Sequence, residues 1–468
     1  MTTGSVLSDA ITQELRDTIL GDVIMPGDEE YEQARSVWNG LIDRHPAVVV
    51  RCAGAADVLA AVRFARDRDV KVAVRGGGHN VAGFGTCDDG MVIDLSPMKG
   101  IWVDPAARTV HAQGGVLWGE LDHETQALGL ATTGGVVSTT GIGGFTLGGG
   151  IGWLMRQHGL AADNLISADV VTADGRLITA SERENPDLLW GLRGGGGNFG
   201  IVTSMELALH EVGPVVYAGA ALYPREMAGE LLKFYAGWTA RQPDELTTVA
   251  VFLTAPPEPF IPAELRGKPA IGIAACYCGP LAGGEAAIAP LREFAEPAAD
   301  VIGPVPYTMM QQFFDPSAPR GIRSYWKSAY LDELSPEAIG ALVSSGQGMD
   351  GLFPLAAMHV HHMEGATRRQ PAGGSAFAHR DPKFVVNILG MWPEPGGDDP
   401  HIRWVRDSHD ALAPYSTGDP YLNFLAGEGS DQVRAAYGEE AYARLAALKA
   451  SFDPGNMFRL NQNIPPAR

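Results

Sequence analysis

The chain of 468 residues is short of positive charge, of cysteine and of long apolar runs, and each shortage narrows what it can be. Its 35 Lys and Arg stand against 55 Asp and Glu, a formal net charge of −20. Nucleic acid and anionic membranes both need a basic face, so this balance argues against either as a partner. Charged residues make up only 19% and hydrophobic ones 45%, the composition of a folded chain; at roughly 150 residues per domain, two or three domains are expected. The four cysteines, Cys52, Cys87, Cys276 and Cys278, form neither a disulfide framework nor a two-pair zinc spacing. No stretch approaches the ~18 uninterrupted apolar residues of a membrane span. The opening MTTGSVLSDAITQELRD lacks the basic-then-apolar pattern of a signal peptide, so a cytoplasmic chain with reduced thiols is expected. There is no P-loop pattern, no Ser/His/Asp grouping in a nucleophile-elbow context, and no internal repeat.

What the chain has in excess is glycine. It holds 59, nearly twice the roughly 7% norm, and 28 of them fall between Gly76 and Gly200. Strand-like and helix-like runs separate these glycines, so the region is not low-complexity. Backbone there must approach something closely or adopt positive φ repeatedly.

The first 40 residues read as helical, with Ile11, Leu15 and Ile19 on one side, followed by PGDEEYEQAR. A strand at Val48–Arg51, a helix over 56–68 and a strand at 71–75 make a β-α-β unit that runs into a glycine loop. Further strands are predicted at 91–95, 101–103, 109–112 and 169–172, with a helix at 117–128. Strands and helices mix without strict alternation, which points to an α+β fold. From about Val212 glycine thins and proline becomes frequent. Strands are predicted there at 270–278, 325–330, 357–362 and 384–391, with helices at 225–241 and 336–344, consistent with a second domain built on an antiparallel sheet. The tail carries a helix at 439–451 and then DPGN and NQNIP segments.

Three glycine clusters carry the chemistry. Arg75-Gly76-Gly77-Gly78-His79-Asn80 follows a strand; consecutive glycines let backbone N–H groups converge on an anion such as a pyrophosphate, and Arg75 adds a charge-assisted donor. Taken alone it reads equally as a turn with an incidental histidine. The run Gly141–Gly150 contains pieces of a dinucleotide fingerprint without its strand or its downstream acid, which disfavours a nicotinamide site. Leu192–Val202 is the third cluster. Together they suggest one long cofactor laid along backbone amides. His359 and His361 share one face of a strand, but no nearby Cys or Asp completes a metal set, so no metal is expected. Cys276 and Cys278 read as core thiols, and Asp28–Glu30 and Asp398–Asp399 as solvated loops.

RGGGHNVAGFG (75–85), TGIGGFTLGGGIGWLMRQHGLAADNL (140–165), DLLWGLRGGGGNFGIVT (187–203) and the tail from YLNF (421–424) to DPGNMFRLNQNIPP (453–466) resemble, in this order, the FAD-linked oxidases of the vanillyl-alcohol oxidase / p-cresol methylhydroxylase (PCMH-type) superfamily, berberine bridge enzyme-like branch. The resemblance implies a PCMH-type, two-subdomain FAD-binding domain over 1–212, completed by 415–468, and a substrate domain over 213–414 whose antiparallel sheet, flanked by helices, covers the flavin. It implies FAD contacts from Arg75, Gly76, Gly77, Gly78, His79, Asn80, Gly83, Gly134, Thr139, Gly141, Gly143, Gly144, Gly148, Gly152, Val202, Asn423 and Asn461. His79 matches the histidine that bonds covalently to the 8α-methyl of FAD. The doubly linked members also carry a cysteine, at a position that falls on about Val137, so a single link of the 6-hydroxy-D-nicotine oxidase type is expected.

Two departures bear on mechanism. Where relatives often place a second tyrosine, Tyr421-Leu422-Asn423-Phe424 has Phe424, and the strand from Phe384 carries no carboxylate. With neither usual base present, Lys327 is the leading candidate base, equally readable as a lysine on a solvated face, and Tyr421, His361 and Asn387 are further pocket candidates. The implied reaction is hydride transfer from a carbon bearing N or O to flavin N5, with reoxidation by O2 to give H2O2. Missing bases favour an amine-like substrate, ahead of a secondary-metabolite alcohol and then a carbohydrate. Oxidative cyclisation or hydroxylation in a biosynthetic route is the alternative. The expected partners are a small-molecule substrate and O2, with a homodimer left open.

Overall fold

The computed structural model describes residues 9–259, 261–427 and 429–468. The β-α-β unit forms because Val48–Arg51 and Val72–Arg75 are β-branched runs, and the helix Ala55–Asp67 between them buries one stripe: Val58, Ala61, Val62 and Ala65. Both strands pair in parallel with Met91–Asp94, and Asp22–Ile24 adds an antiparallel edge, giving a four-stranded sheet. That edge strand interrupts the expected helical start, which resolves into helices Asp9–Thr18 and Tyr31–Arg35. Three residues paired with Val49–Arg51 are too short to leave a periodic signal. Leu15 and Ile19 are buried as expected, and Ile11 lies outside the residues whose side chains are described.

An antiparallel five-stranded sheet follows in the order Ile101–Asp104, Thr109–Gln113, Ile201–Ala208, Leu165–Val171, Leu177–Ser181. The fourth of these starts four residues earlier than the sequence suggests, because Ile166 and Ser167 mask its alternation.

The residues between Val215 and Trp392 build an eight-stranded antiparallel sheet. Its strands Val215–Pro224 and Leu246–Thr254 and its helices Gly284–Phe294 and Asp398–Leu412 are not apparent in the sequence pattern: Gly219 and three alanines dilute the first strand, Pro290 interrupts one helix, and the other opens on Asp398-Asp399-Pro400. Asp398 is not a solvated loop residue. Its carboxylate accepts from Arg323 Nε at 2.7 Å and from Trp392 Nε1 at 2.6 Å, tying the helix start to two strands.

The two faces of this sheet differ, as a period of two dictates. Phe252, Ile273, Val360, Val386 and Ile388 pack under helices Ala228–Thr239, Pro336–Gln347 and Asp398–Leu412. Alternate residues, including Val249, Val251 and Ala274, turn the other way, toward the glycine-rich half. Cys276 and Cys278 lie in this core as thiols, Sγ to Sγ 3.7 Å. Residues 421–464 return to the first half, where Leu422, Val433, Tyr437, Leu445 and Ile464 join the core of the five-stranded sheet.

Lys449 locks that return. It is fully buried, and its Nζ donates to Asp453 (2.7 Å), Asn198 O (2.7 Å) and Phe458 O (2.8 Å). Removing it strands a buried carboxylate, so Lys449→Met is expected to cost about 3–5 kcal/mol in urea unfolding. A loss below about 1 kcal/mol would contradict this role.

Candidate active site

Three parallel strands end together at Arg51, Asp94 and Arg75, which are register partners. The carboxyl edge of such a sheet is where open α/β units place ligands. Here the chain leaves Arg75 into Gly76–Asn80 and meets the loop that begins at Gly141. The two loops touch through bare backbone: a Cβ on Gly77 would collide with Gly141 N, and one on Gly141 with Gly77 N. A Cβ on Gly76 would sit 2.8 Å from Gly114 O. Only glycine permits this packing. It forms one wall of a cavity of about 1120 Å³, above the roughly 300–1,000 Å³ of an ordinary small-molecule pocket, so a cofactor and a second molecule both have room.

All three glycine clusters reach this cavity: Gly76, Gly77 and Gly78 from the first, Gly143, Gly144 and Gly148 from the second, Gly196 and Gly197 from the third, with Val202 beside them. Gly148 is needed for a different reason, since a Cβ there would overlap Asn423 Oδ1. Gly83, Gly134 and Gly152 do not line the cavity. They serve packing behind its wall, where a Cβ on Gly152 would overlap Gly134 O, and one on Gly83 would meet Ile42 at 2.6 Å.

Arg75 is buried and its guanidinium is taken: NH2 donates to Asp94 Oδ2 at 2.7 Å and NH1 to Ser36 O at 3.3 Å. It therefore braces the loop, and the expected charge-assisted donor is already spent on Asp94. His79 stacks on Trp38 (centroids 4.3 Å, 20° between planes), and its Nε2 lies 3.5 Å from Thr139 Oγ1. One edge of the ring stays open to the cavity, yet the protein packed around it disfavours the cation and lowers its pKa to about 4. His79 is thus a neutral imidazole at neutral pH. Thr139 touches it from outside the cavity, whereas the adjacent Thr140 and Asn80 line it. Trp38 and Thr140 were not visible as site residues in the sequence; Trp38 lies far upstream, with no local motif to mark it.

At the other end, Asn461 donates from Nδ2 to Gly197 O and Phe458 O, both 3.0 Å, while its buried Oδ1 has no protein partner. Asn423 Nδ2 donates to Phe145 O (3.0 Å) and Tyr421 Oη (3.1 Å), and Gly150 N donates to the same phenol at 2.9 Å. Tyr421 acts here as an acceptor that pins the second glycine loop. Burial raises its pKa to about 12, which removes it as a base.

Lys327 is not in the cavity. On the strand Arg323–Leu331, Trp326 lines the cavity and Ser328 Oγ accepts from Tyr421 N at 3.1 Å. The alternate residues face the helix Asp398–Leu412, as Arg323 bonded to Asp398 and Tyr325 under Arg406 show, and Lys327 shares their side. Three polar side chains do face the cavity from the sheet: His359, His361 and Asn387, with His359 and Asn387 directly opposite across neighbouring strands. His361 Nε2 and Asn387 Oδ1 are buried without a partner. Desolvation lowers the pKa of His359 to about 4 and of His361 to about 3, the latter helped by His359. Among the described residues, no group of three or more His, Cys, Asp or Glu could hold a metal, and no helix is long and apolar enough to cross a membrane.

The glycine walls, the volume of the cavity and the unpartnered Asn461 oxygen fit a dinucleotide cofactor. Residues 46–181 match the FAD binding domain model and residues 420–465 the berberine and berberine-like model. An FAD-linked oxidoreductase of Dictyostelium discoideum is 33% identical, with 97% of each chain covered. The chain belongs to the FAD-linked oxidoreductases. (R)-6-hydroxynicotine oxidase of Paenarthrobacter nicotinovorans is 31% identical, covering 96% of this chain and 97% of that one. The crystal structure of 6-hydroxy-D-nicotine oxidase from Arthrobacter nicotinovorans superposes with a TM-score of 0.86 at 29% identity, covering 96% and 98%. This α+β fold is therefore the PCMH-type FAD-binding fold, and the FAD-linked oxidoreductase is an enzyme that uses FAD.

The buried neutral histidines make stability depend on pH. An unfolded histidine takes up a proton near pH 6.5, whereas His359 and His361 in the folded chain refuse it until about 4 and 3. Stability is therefore expected to fall as pH drops below 6.5, by about 1.4 kcal/mol per pH unit for each of the two, levelling off below their folded values. Urea midpoints at a series of pH values check this; the His359→Gln/His361→Gln variant is expected to show a shallower slope, and an identical slope would contradict it.

Proposed function

We propose that this FAD-linked oxidoreductase is an oxidase carrying FAD through a single 8α-histidyl bond to His79, without a cysteinyl link. The observation that carries this reading is His79 itself: a neutral imidazole, held flat by Trp38, at the edge of a cavity walled by three glycine clusters. An uncharged ring nitrogen has the lone pair that attack on an electrophilic methyl requires. All four cysteines are buried away from the cavity lining, and Val137 stands where a second link would need one.

FAD, when bound, would supply the oxidising power for removal of a hydride from a substrate carbon bearing N or O, with O2 as the final acceptor and H2O2 as its product. The chain does the rest. The FAD-binding domain expected over 1–212 and 415–468 would hold the cofactor through its described residues, and the large sheet of 213–414 would cover it. Gly76–Gly78 and Gly143–Gly144 offer main chain at close range, Asn461 an amide oxygen, and Asn423 and Tyr421 fix the second loop. Val251, Trp326, Leu389 and their neighbours exclude water from the reacting carbon, and the sheet orients it. The (R)-6-hydroxynicotine oxidase relative supports oxidase chemistry on a small organic molecule.

Two measurements test this. Acid precipitation of the purified protein is expected to leave yellow, fluorescent material in the pellet, and His79→Ala is expected to release all of it. Turnover under air with a panel of alcohols, amines and sugars is expected to produce stoichiometric H2O2. Complete flavin release by the wild type, or retention by His79→Ala, would overturn the linkage; substrate oxidation without peroxide would overturn the oxidase assignment.

A further inference from the structure

Resting on that reading, the cavity's substrate side narrows the class of molecule oxidised. Its lining opposite the glycine loops is largely apolar: Leu222, Val251, Trp326 and Leu389 from the sheet, with Phe314 and Leu355 from adjoining loops. A sugar, with a hydroxyl on nearly every carbon, would leave most of them unpaired there. Among the described residues, two ionisable side chains of fixed charge border the cavity. Arg75 is neutralised by Asp94, and Glu258 is exposed, on the proline-rich segment that ends at Pro262. Among the described residues, a substrate ammonium would therefore find a single counter-charge, Glu258 at the exposed rim, and none on the sheet.

Against this background the trio on the sheet stands out. Asn387 and His361 are 2% and 3% exposed, and Asn387 Oδ1 and His361 Nε2 have no hydrogen-bond partner in the protein; Nε2 accepts when the ring proton sits on Nδ1. Other buried polar atoms also lack partners, but these two belong to residues that line the cavity from one sheet, where a ligand can supply the donor. Phe424 and His359 lie against the His361 ring, with centroids 6.0 and 5.8 Å away, which limits the ring's freedom to turn from the cavity.

We propose that the substrate is a neutral, largely apolar alcohol whose hydroxyl donates to His361 Nε2, with Asn387 as the neighbouring anchor, so that His361 takes the hydroxyl proton during oxidation. The C–H bond breaks with its electron pair, which goes to the oxidised FAD; the O–H bond breaks as its proton passes to Nε2; and the C=O bond forms. Two electrons and two protons leave the substrate. A weak base suffices, because the hydroxyl becomes strongly acidic as the hydride departs. This answers the absence of a tyrosine at Phe424 and of a carboxylate on the strand from Phe384, and it replaces Lys327 as the proton acceptor.

The test uses cumyl alcohol, which has the hydroxyl but no carbinol hydrogen to lose, against cumene, which lacks the hydroxyl, and cumylamine, which is an ammonium at neutral pH. Binding to the protein as purified is measured by calorimetry, so the readout needs no turnover. In the wild type, cumyl alcohol is expected to bind more tightly than cumylamine. His361→Leu is expected to lower the alcohol-to-cumene affinity ratio about three- to tenfold, the worth of one hydrogen bond, and His361→Gln, which keeps an acceptor, to restore most of it. Cumylamine outbinding the alcohol, or a ratio that His361→Leu leaves unmoved, would overturn the proposal. Either result in yellow protein would leave the flavin reading intact, whereas colourless protein would overturn that reading and leave the calorimetric comparison to decide this one.

Discussion

The site depends on one contact between two stretches of main chain. Gly77 and Gly141 approach so closely that neither could carry a Cβ, each blocking the other at its backbone nitrogen. Gly76 is held in the same way against Gly114. The carboxyl end of the parallel strands therefore meets the helix Ile142–Leu147 without side chains between them, and a wall of backbone faces the cavity. Arg75, Asp94 and Ser36 fix the first loop from beneath, and Tyr421 and Asn423 fix the second from the side. Even the C-terminal return, locked at Lys449, serves this end by holding Asn198 and Phe458 in place.

The eight-stranded sheet supplies the opposing half, and its period of two divides the labour. One face packs under helices as an ordinary core. The other turns toward the cavity, and His359, His361 and Asn387 are among the polar side chains it presents there. A one-residue shift of register would exchange the faces, which is why Trp326 can line the cavity while Lys327, next in the chain, faces a helix layer. The same rule brings His359 and Asn387 opposite each other across two strands. Desolvation keeps these histidines neutral, which leaves each ring one nitrogen able to accept a hydrogen bond.

The site was legible in the sequence wherever one residue type answers one local demand. Glycine clusters report close backbone approach, and the three that stand out between Gly76 and Gly200 all reach the cavity. His79 follows the first directly. What could not be read is which way a strand faces when both its sides are buried. All nine residues of Phe384–Trp392 are buried, so burial alternation does not point Asn387 anywhere; around Lys327 the run Tyr325–Lys327 is half-buried throughout and gives no alternation either. Contacts of long separation were equally silent: Trp38 on His79, Asp398 on Arg323, and Gly134 packed behind the wall against Gly152. In each the decisive neighbour comes from another element, and no periodicity announces it.

If backbone contact is what makes the cofactor site, the smallest possible side chain placed in it should disable binding without unfolding the protein's other sheets. The measurement is the ratio of flavin absorbance to protein absorbance in Gly141→Ala, alongside its circular dichroism. The account predicts a folded protein with little or no flavin; a folded Gly141→Ala protein with a wild-type flavin ratio would contradict it.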